Sequence, residues 1–509
     1  MQDSKELPQA TTALVVDGQP DSKTRRYDRQ LRLWAATGQT ALEESRILVI
    51  SGTATCTSIL KNLVLPGIGH FTILDAAKVT PEDAGNNFFL EAQSSIGKSR
   101  AEEAVRLLGE LNDGVDGKAN TASLDDILEK DTAYLTSFTV VIAHNLPAKQ
   151  LSRLSTILWE AESAPTLAIV RSAGFVADFY LQYREHAIIE SHSETMPSLR
   201  ISKPFPSLLE YAESLDFEKM DSTDHAHIPF VVILVRAMED WKNTKTFKES
   251  VLAMKKKFDE ENFDEAEGQA YRCWSETSVP SDITALFQAP QLSSISASSP
   301  PFFLLLDALK KFLAQPPHVL PLSATLPDMK ASTGTYIHLQ KLYKARAEEE
   351  KEIFKSLLAH PVPDEMVDTF VKNAHGIKLL SGKKWTDVDA NGTALAKAIT
   401  ETDGKEVATH LALSALSNLL AKEADAKVTE EALTEEAKAL LPLGTTLPEA
   451  FEAAAGEVAR SPTADLPNTA AFLGGIVAQE VIKMITKQYT PINGVCVWTS
   501  LRPGRGCFR

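Results

Sequence analysis

The apolar residues near the start of the chain fall into short continuous runs that predict buried strands. One run, RILVI, covers 46–50, and a second, FTIL, covers 71–74 and is followed by Asp75. A helix-like segment lies between the two runs, so together they predict a βαβ unit. Further strands are predicted over 138–143 and 166–170, and further helices over 99–111 and 147–162. Strands that alternate with helices predict an α/β fold with a doubly wound, mostly parallel sheet.

The pattern changes twice further along the chain. Apolar and polar residues alternate over 175–184, which predicts a half-exposed antiparallel strand. From about residue 203 long helical segments dominate, and they are predicted over 229–241, 250–258, 301–313, 335–358, 394–422 and 448–458. The last segment begins with a strongly apolar helix that has Gly474 and Gly475 in its interior. The residues at 495–498, VCVW, predict a closing strand.

These patterns predict one sheet domain that is interrupted by a large, mainly helical insertion. The polar residues 1–24 are expected to form a disordered arm. Residues 25–202 are expected to form the first part of the sheet domain, and 203–462 the insertion. Residues 463–509 are expected to complete the sheet domain.

Net charge, cysteine spacing and the lengths of apolar runs indicate which partners and which cellular compartment to expect. The net charge is −16 over 509 residues, which argues against nucleic acid as a main partner. The four cysteines are scattered without a C-x-x-C motif, so we expect no metal site and a reducing compartment. We find no signal-peptide core and no apolar run long enough to span a membrane. The expected location is the cytoplasm or the nucleus, with no membrane partner.

The turn after the first predicted strand is where a βαβ unit of this kind holds phosphate. Glycines there let backbone N–H groups approach the phosphate closely. Aligned with G-x-G-x-x-G, the chain has Ser51, Thr53 and Cys56 at the glycine positions, and its one glycine, Gly52, lies between them. Because each added Cβ fills space that phosphate needs, we predict a nucleotide-binding fold that has lost its nucleotide site. An ordinary βαβ unit that never bound a nucleotide is the alternative.

Several long motifs carry a resemblance to a known family. The first part contains, in order, YDRQLRLW, ILVISGTATCTSILKNLVLPGIG, FTILD, DAGNNFFL and SSIGKSRAEEA. They resemble the adenylation domain of the activating enzymes for ubiquitin-like proteins, which has a ThiF-like fold. Two later motifs are LPDMKASTGTYIHLQKLYKARA and AAFLGGIVAQEVIKMITKQ. They resemble the regulatory, non-catalytic subunits of the heterodimeric enzymes that start neddylation. The resemblance covers about residues 26–498.

The resemblance implies which residues an active adenylation domain needs. Such a domain binds ATP and magnesium and joins the C-terminal carboxylate of the modifier to AMP. The ribose-binding acid is Asp75, but Ala77 replaces the second acid of the D-x-D pattern. Asn86 replaces the arginine of the N-R-Q pattern, and Arg100 replaces a lysine. Asn145 replaces the metal-binding aspartate after the third strand. The resemblance therefore implies a degenerate site that binds no cofactor.

The family also uses a cysteine that takes the modifier as a thioester. None of the four cysteines lies in the sequence context of that residue. The resemblance therefore implies that this chain has no catalytic residue of its own and is a non-catalytic subunit.

The resemblance implies that this chain functions as one subunit of a heterodimer. Arg29, in YDRQL, matches an arginine that the inactive half lends to ATP held by the catalytic partner, together with magnesium. A surface or intrachain salt bridge is the alternative role for Arg29. Residues 330–343 are the implied segment of partner contact. Its candidate residues are Lys330, Tyr336, Leu339 and Tyr343. The expected partners are the catalytic subunit, the ubiquitin-like modifier and its conjugating enzyme.

Three other functions compete with this interpretation. The first is the regulatory subunit of the sumoylation activating enzyme, which lacks a large helical insertion such as 203–460. The second is a self-sufficient adenylating enzyme, which would exchange ATP and pyrophosphate alone. The third is a dinucleotide-dependent oxidoreductase, which the missing glycines disfavour.

Overall fold

The chain forms two compact units. The computed structural model describes residues 21–508 except 192–195, 197, 243–250, 252, 253, 259, 276, 277, 390, 402, 403, 424, 425 and 500–503. The first unit comprises Met1–His186 and Leu380–Arg509, and the second unit comprises Ala187–Leu379. Residues 1–20 of the predicted disordered arm, and part of the predicted helix at 250–258, lie outside the described residues. The prediction that the arm extends to residue 24 is wrong, because a helix begins at Ser22 with Asp21 as its N-cap.

The first unit is built on a large sheet. The described strands are β1 (Arg46–Ile50), β2 (His70–Leu74), β3 (Asp116–Asn120), β4 (Val140–His144), β5 (Thr166–Ala173), β6 (Val176–Gln182), β7 (Glu185–Ile188), β8 (Lys378–Ser381), β9 (Val495–Thr499) and β10 (Gly504–Phe508). The order in the large sheet is β10-β9-β6-β5-β4-β1-β2-β3, and β7 pairs with β8. Strands β1 to β5 are parallel to one another. Strands β6, β9 and β10 extend the sheet in antiparallel pairs. The predicted mostly parallel sheet is confirmed.

Helices occupy most of the remaining described chain. Before the second unit they are α1 (Ser22–Glu44), α2 (Ala54–Val64), α3 (Pro81–Asn86), α4 (Ala92–Ser95), α5 (Arg100–Gly109), α6 (Leu124–Lys130), α7 (Thr132–Thr136) and α8 (Ala148–Glu160). The second unit contains α9 (Pro206–Ser214), α10 (Ser222–His225), α11 (Phe230–Lys242), α12 (Glu261–Gln269), α13 (Arg272–Ser275), α14 (Ser281–Leu286), α15 (Pro301–Leu313), α16 (Thr333–Ser356) and α17 (Asp364–Asn373). After it come α18 (Trp385–Asp389), α19 (Gly392–Glu401), α20 (Lys405–Lys422), α21 (Glu430–Ala439), α22 (Phe451–Arg460) and α23 (Pro467–Thr486).

The sheet has an apolar core on each face. On one face, alternate residues of the central strands, such as Val49 and Ile73, pack with α1, α2, α5 and α23. On the other face, the intervening residues, such as Leu48 and Val141, pack with α6, α7, α8 and α18. Because successive side chains of a strand point to opposite faces, a strand covered on both sides has a continuous apolar sequence. This explains why RILVI predicts β1 correctly.

Strand β6 is antiparallel, as predicted, but the prediction that it is half-exposed is wrong. All seven of its residues are buried. Its polar residues have internal partners: Asp178 accepts a hydrogen bond from Arg171 Nε at 2.9 Å, and Gln182 accepts one from Ser155 Oγ at 2.6 Å. Alternating polarity therefore reflects internal hydrogen bonding here rather than contact with solvent.

Strand β3 was not predicted. Its sequence, DGKAN, is polar, and none of its residues is fully buried. It pairs with β2 alone and forms one edge of the large sheet. An edge strand without an apolar face lacks the pattern on which the prediction depends.

Both predicted boundaries of the helical insertion, 203–462, differ from the structure. The second unit is Ala187–Leu379, so the first part of the sheet unit ends at 186 instead of 202, and its second part begins at 380 instead of 463. Leu199 and Ile201 are already buried in the core of the second unit. At the other end, α19 to α22 share a core with Ala173 of β5 and Val176 of β6. Helical periodicity does not show which core a helix joins.

Helix α23 is long and apolar enough to cross a membrane by length and composition alone. In the structure 61% of its most apolar 18-residue window is buried. It packs against α2 and the sheet, so its apolar character is explained by its place in the core of the first unit.

Candidate functional site

The candidate site lies where the strand order reverses. The chain proceeds from β1 to β2 and β3 on one side and places β4 on the other side of β1. Doubly wound sheets bind ligands in the crevice at this point, beyond the carboxyl ends of the strands. Here the crevice is bordered by the turn that begins at Ser51, by Asp75 after β2, and by Asn145 after β4.

The turn between β1 and α2 is closed by its own residues. Ser51 has a φ of +77°, and Thr53 caps α2 by accepting a hydrogen bond from Cys56 N–H. A Cβ on Gly52 would lie 3.3 Å from both Arg100 Cγ and Asp75 Oδ2, so this retained glycine has close neighbours on both sides. Cys56 is fully buried, and burial raises the pKa of its thiol to about 12. A neutral, buried thiol is a packing residue and not a nucleophile.

The polar groups at the start of α2 already have acceptors within the chain. Gly52 N–H donates to Asp75 Oδ2 at 2.7 Å. Thr55 N–H donates to Asp465 Oδ2 at 3.0 Å, and the Thr55 hydroxyl donates to Asp465 Oδ1 at 2.6 Å. In a nucleotide-binding turn, backbone N–H groups at this position face phosphate oxygens. Here they face carboxylates of the chain itself.

Asp75 and Arg100 form the centre of a buried polar cluster. Arg100 Nε lies 2.6 Å from Asp75 Oδ2, and its Nη1 lies 3.0 Å from Asp83 Oδ1. Asp75 Oδ1 also accepts a hydrogen bond from the backbone N–H of Ala77 at 2.8 Å. Arg100, which the resemblance matches to a lysine, is thus neutralised by two carboxylates, and Asp75 has three internal donors. Ala77 itself is exposed and contributes only its backbone.

The crevice between β1 and β4 is crossed by hydrogen-bonded side chains. His144 lies 2.9 Å from Thr53 Oγ1 through Nδ1 and 2.9 Å from Ser172 Oγ through Nε2. Asn145 has a φ of +49°, donates to Ser172 O and accepts from Ser172 N–H, both at 2.9 Å. Burial lowers the pKa of His144, which keeps its ring neutral. Asn145 is therefore fixed by the β5 backbone and lacks the charge of a metal-binding aspartate.

A cavity of about 470 Å³ remains beside the turn. Its wall includes Asn86, Arg100, Arg460, Glu82, Asp83 and Asp465. The adjacent Asn87 is buried and donates to Gly52 O at 3.1 Å, which holds this loop against the turn. The acidic side chains outnumber the basic ones in this wall, which disfavours the polyphosphate of a nucleotide.

Arg29 is not among the residues that line this cavity, and it is exposed on α1. Its side chain has no hydrogen bond or ion pair with any residue that the structure describes. Two other arginines of the helix are paired, Arg26 with Asp113 at 2.9 Å and Arg32 with Asp28 at 3.1 Å, whereas the Arg25 side chain, like that of Arg29, has no such partner among the described residues. The alternative role for Arg29, an intrachain salt bridge, therefore has no support within the described part of the chain.

The predicted partner-contact segment is only partly at the surface. Leu339 and Tyr343 are completely buried in the core of the second unit, and the Tyr343 hydroxyl donates to Leu199 O. Their prediction as partner contacts is wrong, because the apolar face of α16 packs against the core of its own unit. Lys330 is half-exposed and pairs with Glu261, and Tyr336 is partly buried. The side chains of this segment that reach the surface also include Ile337 and Lys341.

Two residues of the site were missed in the sequence. Asp465 lies 410 residues from Thr55, and no local motif predicts that the two meet. His144 ends β4, so its place at the point of strand reversal could have identified it. Within the described residues no three His, Cys, Asp or Glu side chains are grouped so as to hold a metal ion.

The chain is similar to known proteins over nearly its whole length. The ThiF family profile matches residues 27–144. The NEDD8-activating enzyme E1 regulatory subunit of Xenopus laevis is 32% identical, and the match covers 96% of this chain and 98% of that protein. The protein of the same name from Danio rerio is also 32% identical, covering 96% and 99%. The NEDD8-activating enzyme E1 regulatory subunit AXR1 of Arabidopsis thaliana is 31% identical, covering 94% and 95%.

Proposed function

The chain belongs to the family of NEDD8-activating enzyme E1 regulatory subunits, and on that premise we propose how it serves its catalytic partner subunit. A regulatory subunit works in a heterodimer, which sets aside the self-sufficient enzyme and the oxidoreductase. The full-length similarity also sets aside the sumoylation alternative. The proposal is that this chain performs no adenylation itself and completes the ATP site of its partner.

The internal bonding of the β1–α2 turn carries the first half of the proposal. The N–H groups of Gly52 and Thr55 are bonded to Asp75 and Asp465, and Arg100 is held by two carboxylates. A nucleotide would have to displace all of these contacts before it could bind. We therefore expect this chain to bind neither ATP nor Mg²⁺, and we assign both to the catalytic subunit.

Arg29 supports the second half of the proposal. It is an exposed cation without a side-chain partner among the described residues, on a helix that Tyr27 anchors to the core through a hydrogen bond from Asn112 Nδ2 at 2.9 Å. A guanidinium can bind β- and γ-phosphate oxygens at once and stabilise the charge that develops on departing pyrophosphate. In the proposed mechanism Arg29 reaches the ATP of the partner and has this role.

The finer partners belong to the same proposal. We assign the ubiquitin-like modifier and its conjugating enzyme to the assembled heterodimer, in which Lys330 and Tyr336 stay predicted contacts. Binding of each by the pair and by the catalytic subunit alone tests this assignment. The proposed location is the cytoplasm and the nucleus, and the buried Cys56, which forms no disulfide with any described residue, supports a reducing compartment. Fractionation of cells that express the tagged chain would test the location.

The experiment on Arg29 uses ATP–pyrophosphate exchange by the reconstituted heterodimer in the presence of the modifier. Arg29→Ala should lower kcat/KM for ATP by about tenfold or more, a loss of about 1.4 kcal/mol of transition-state stabilisation or greater. Arg32→Ala is the matched control, because it removes an exposed, Asp28-paired arginine from the same helix. An Arg29→Ala pair with exchange kinetics equal to those of the control would remove Arg29 from the mechanism.

A further inference from the structure

A single carboxylate binds both the backbone N–H and the hydroxyl of Thr55, at the start of α2. Asp465 lies in the segment between α22 and α23, and it receives the Thr55 N–H on Oδ2 and the Thr55 hydroxyl on Oδ1, at 3.0 and 2.6 Å. Thr55 is fully buried, and Asp465 forms part of the wall of the adjoining cavity. Ala54, the first residue of α2, also lines this cavity but Thr55 does not, so the carboxylate binds the polar groups of Thr55 on the side from which a ligand would approach.

The electrostatic setting explains why a carboxylate is stable there. The amino end of a helix carries a partial positive charge and unsatisfied N–H groups, and it attracts anions. The second anion-binding group of the site, Arg100, is likewise occupied by Asp75 and Asp83. Arg460, in the wall of the same cavity, pairs with Glu457 at 2.6 Å. Both arginines that line the cavity thus have carboxylate partners among the described residues.

We infer that Asp465 is an internal anion that replaces phosphate at the start of α2 and closes this site to external anions. The inference rests on the proposed loss of nucleotide binding, but not on the role of Arg29. Asp465 is not one of the positions at which the sequence differs from the family pattern, so its carboxylate is a further reason for the loss of nucleotide binding. The inference also gives that carboxylate an autoinhibitory role in an otherwise anion-attracting turn.

A simple structural tether is the competing explanation, and the charge of Asp465 distinguishes the two. If Asp465 only ties the segment before α23 to α2, a neutral side chain that accepts hydrogen bonds can replace it without consequence. If it replaces phosphate, its removal leaves a vacant anion site that an added anion can fill. The two explanations therefore predict different responses to pyrophosphate.

The test is thermal unfolding of the full chain with increasing pyrophosphate, at an ionic strength held constant with chloride. Asp465→Ala vacates the site, and Asp465→Asn keeps the size of the side chain in case the alanine variant does not fold. Glu82→Gln is the matched control, because it removes one negative charge from the wall of the same cavity without a bond to α2. Asp465→Ala should bind pyrophosphate at least about tenfold more tightly than the wild type, and its lowered melting temperature should recover as pyrophosphate is added. Asp465→Asn removes the charge but still fills the space, so it should bind pyrophosphate more tightly than the wild type and than Glu82→Gln, by a smaller factor than Asp465→Ala.

Two results would overturn the inference. One is a response to pyrophosphate by the Asp465 variants that equals that of the wild type. The other is an equal gain in Glu82→Gln, which would show a general effect of charge. Exchange activity of the heterodimer is measured in parallel, with the Asp465 variants in place of the wild-type chain. Because that activity depends on the partner's ATP site, failure of the proposed function would be seen there, independently of pyrophosphate binding by this chain.

Discussion

At the scale of single residues, the candidate site is shaped by hydrogen bonds among the chain's own groups. Asp75 accepts hydrogen bonds from Gly52, Ala77 and Arg100. A carboxylate with three internal donors is poorly placed to bind ribose hydroxyls as well. Restoring one family residue, such as an acid at position 77, would therefore leave these bonds in place. The hydrogen bonds among these residues therefore occupy the site together, and a change at one position does not free the others.

A buried histidine should make the first unit sensitive to acid. His186 is 3% exposed, and burial, with a smaller effect of Lys487, lowers its pKa to about 4. In the unfolded chain its pKa is about 6.5. As the pH falls from 6.5 towards 4, the unfolded chain binds a proton that the folded chain does not, so stability is lost in this window.

The expected size of this loss between pH 7 and pH 5 is about 2 kcal/mol. His186→Phe keeps an aromatic ring without a titrating group, so its stability should fall by about 2 kcal/mol less over the same range. Urea unfolding of both proteins at the two pH values measures the difference. If both lose the same stability, His186 is not responsible for the acid sensitivity.

At the scale of elements, α2 and α23 depend on close approach of their backbones. A Cβ on Gly474 would lie 2.2 Å from Ser58 Oγ and 2.8 Å from Ser58 Cβ, whereas one on Gly475 would have no neighbour within 4 Å. Gly474 is buried and Gly475 is exposed. Close packing against Ser58 therefore requires a glycine at position 474, whereas no neighbour restricts position 475.

The two glycines should respond to alanine with opposite signs. Gly475→Ala should stabilise the first unit by up to about 1 kcal/mol, because alanine favours the helix and meets no obstacle. Gly474→Ala should destabilise it by about 1–3 kcal/mol, because the added methyl group forces α23 away from α2. Urea unfolding measures both effects, and each variant is the control for the other. Equal changes of the same sign would contradict the packing described here.

Elements were predictable where burial and sequence pattern coincide. The runs at β1 and β2 are apolar because both faces of those strands are covered, and α15 was predicted with its observed ends, Pro301–Leu313. The predicted helix at 394–422 is instead two helices, and α20 begins after Gly404, whose φ is +68°. The sequence contains that glycine, but periodicity continues through it. The contact between Asp465 and Thr55 depends on the tertiary fold and has no local pattern.

At the scale of the whole molecule, the chain crosses between its two units at His186 and Leu380. Within the first unit the flanking segments are adjacent, because Gly382 N–H donates to Arg184 O at 3.0 Å. The helices α19 to α22, which follow the second crossing, contribute to the core beside β5 and β6. The two units should therefore be separable at these crossings and not at the boundaries predicted from the sequence.

Two deletion variants test that division. Replacing residues 187–379 by a short Gly/Ser loop should leave a first unit that unfolds in one cooperative transition, since its eight-stranded sheet and the cores on that sheet are retained. Replacing 203–462 instead removes α18 to α22 and should give a protein without a cooperative transition. Circular dichroism during thermal unfolding distinguishes the outcomes. Cooperative unfolding of the second variant alone would show that the helices after residue 380 are not part of the first unit.

The central claim is that this chain lacks adenylation activity and is nevertheless needed by its partner. The most direct measurement is ATP–pyrophosphate exchange, with the modifier present, by this chain alone, the catalytic subunit alone and the reconstituted pair. The pair should exchange at least about tenfold faster than the catalytic subunit alone, and this chain alone should show no exchange above background. Exchange by this chain alone would contradict the closed site, and a catalytic subunit equally active without it would contradict its role in completing the partner's site.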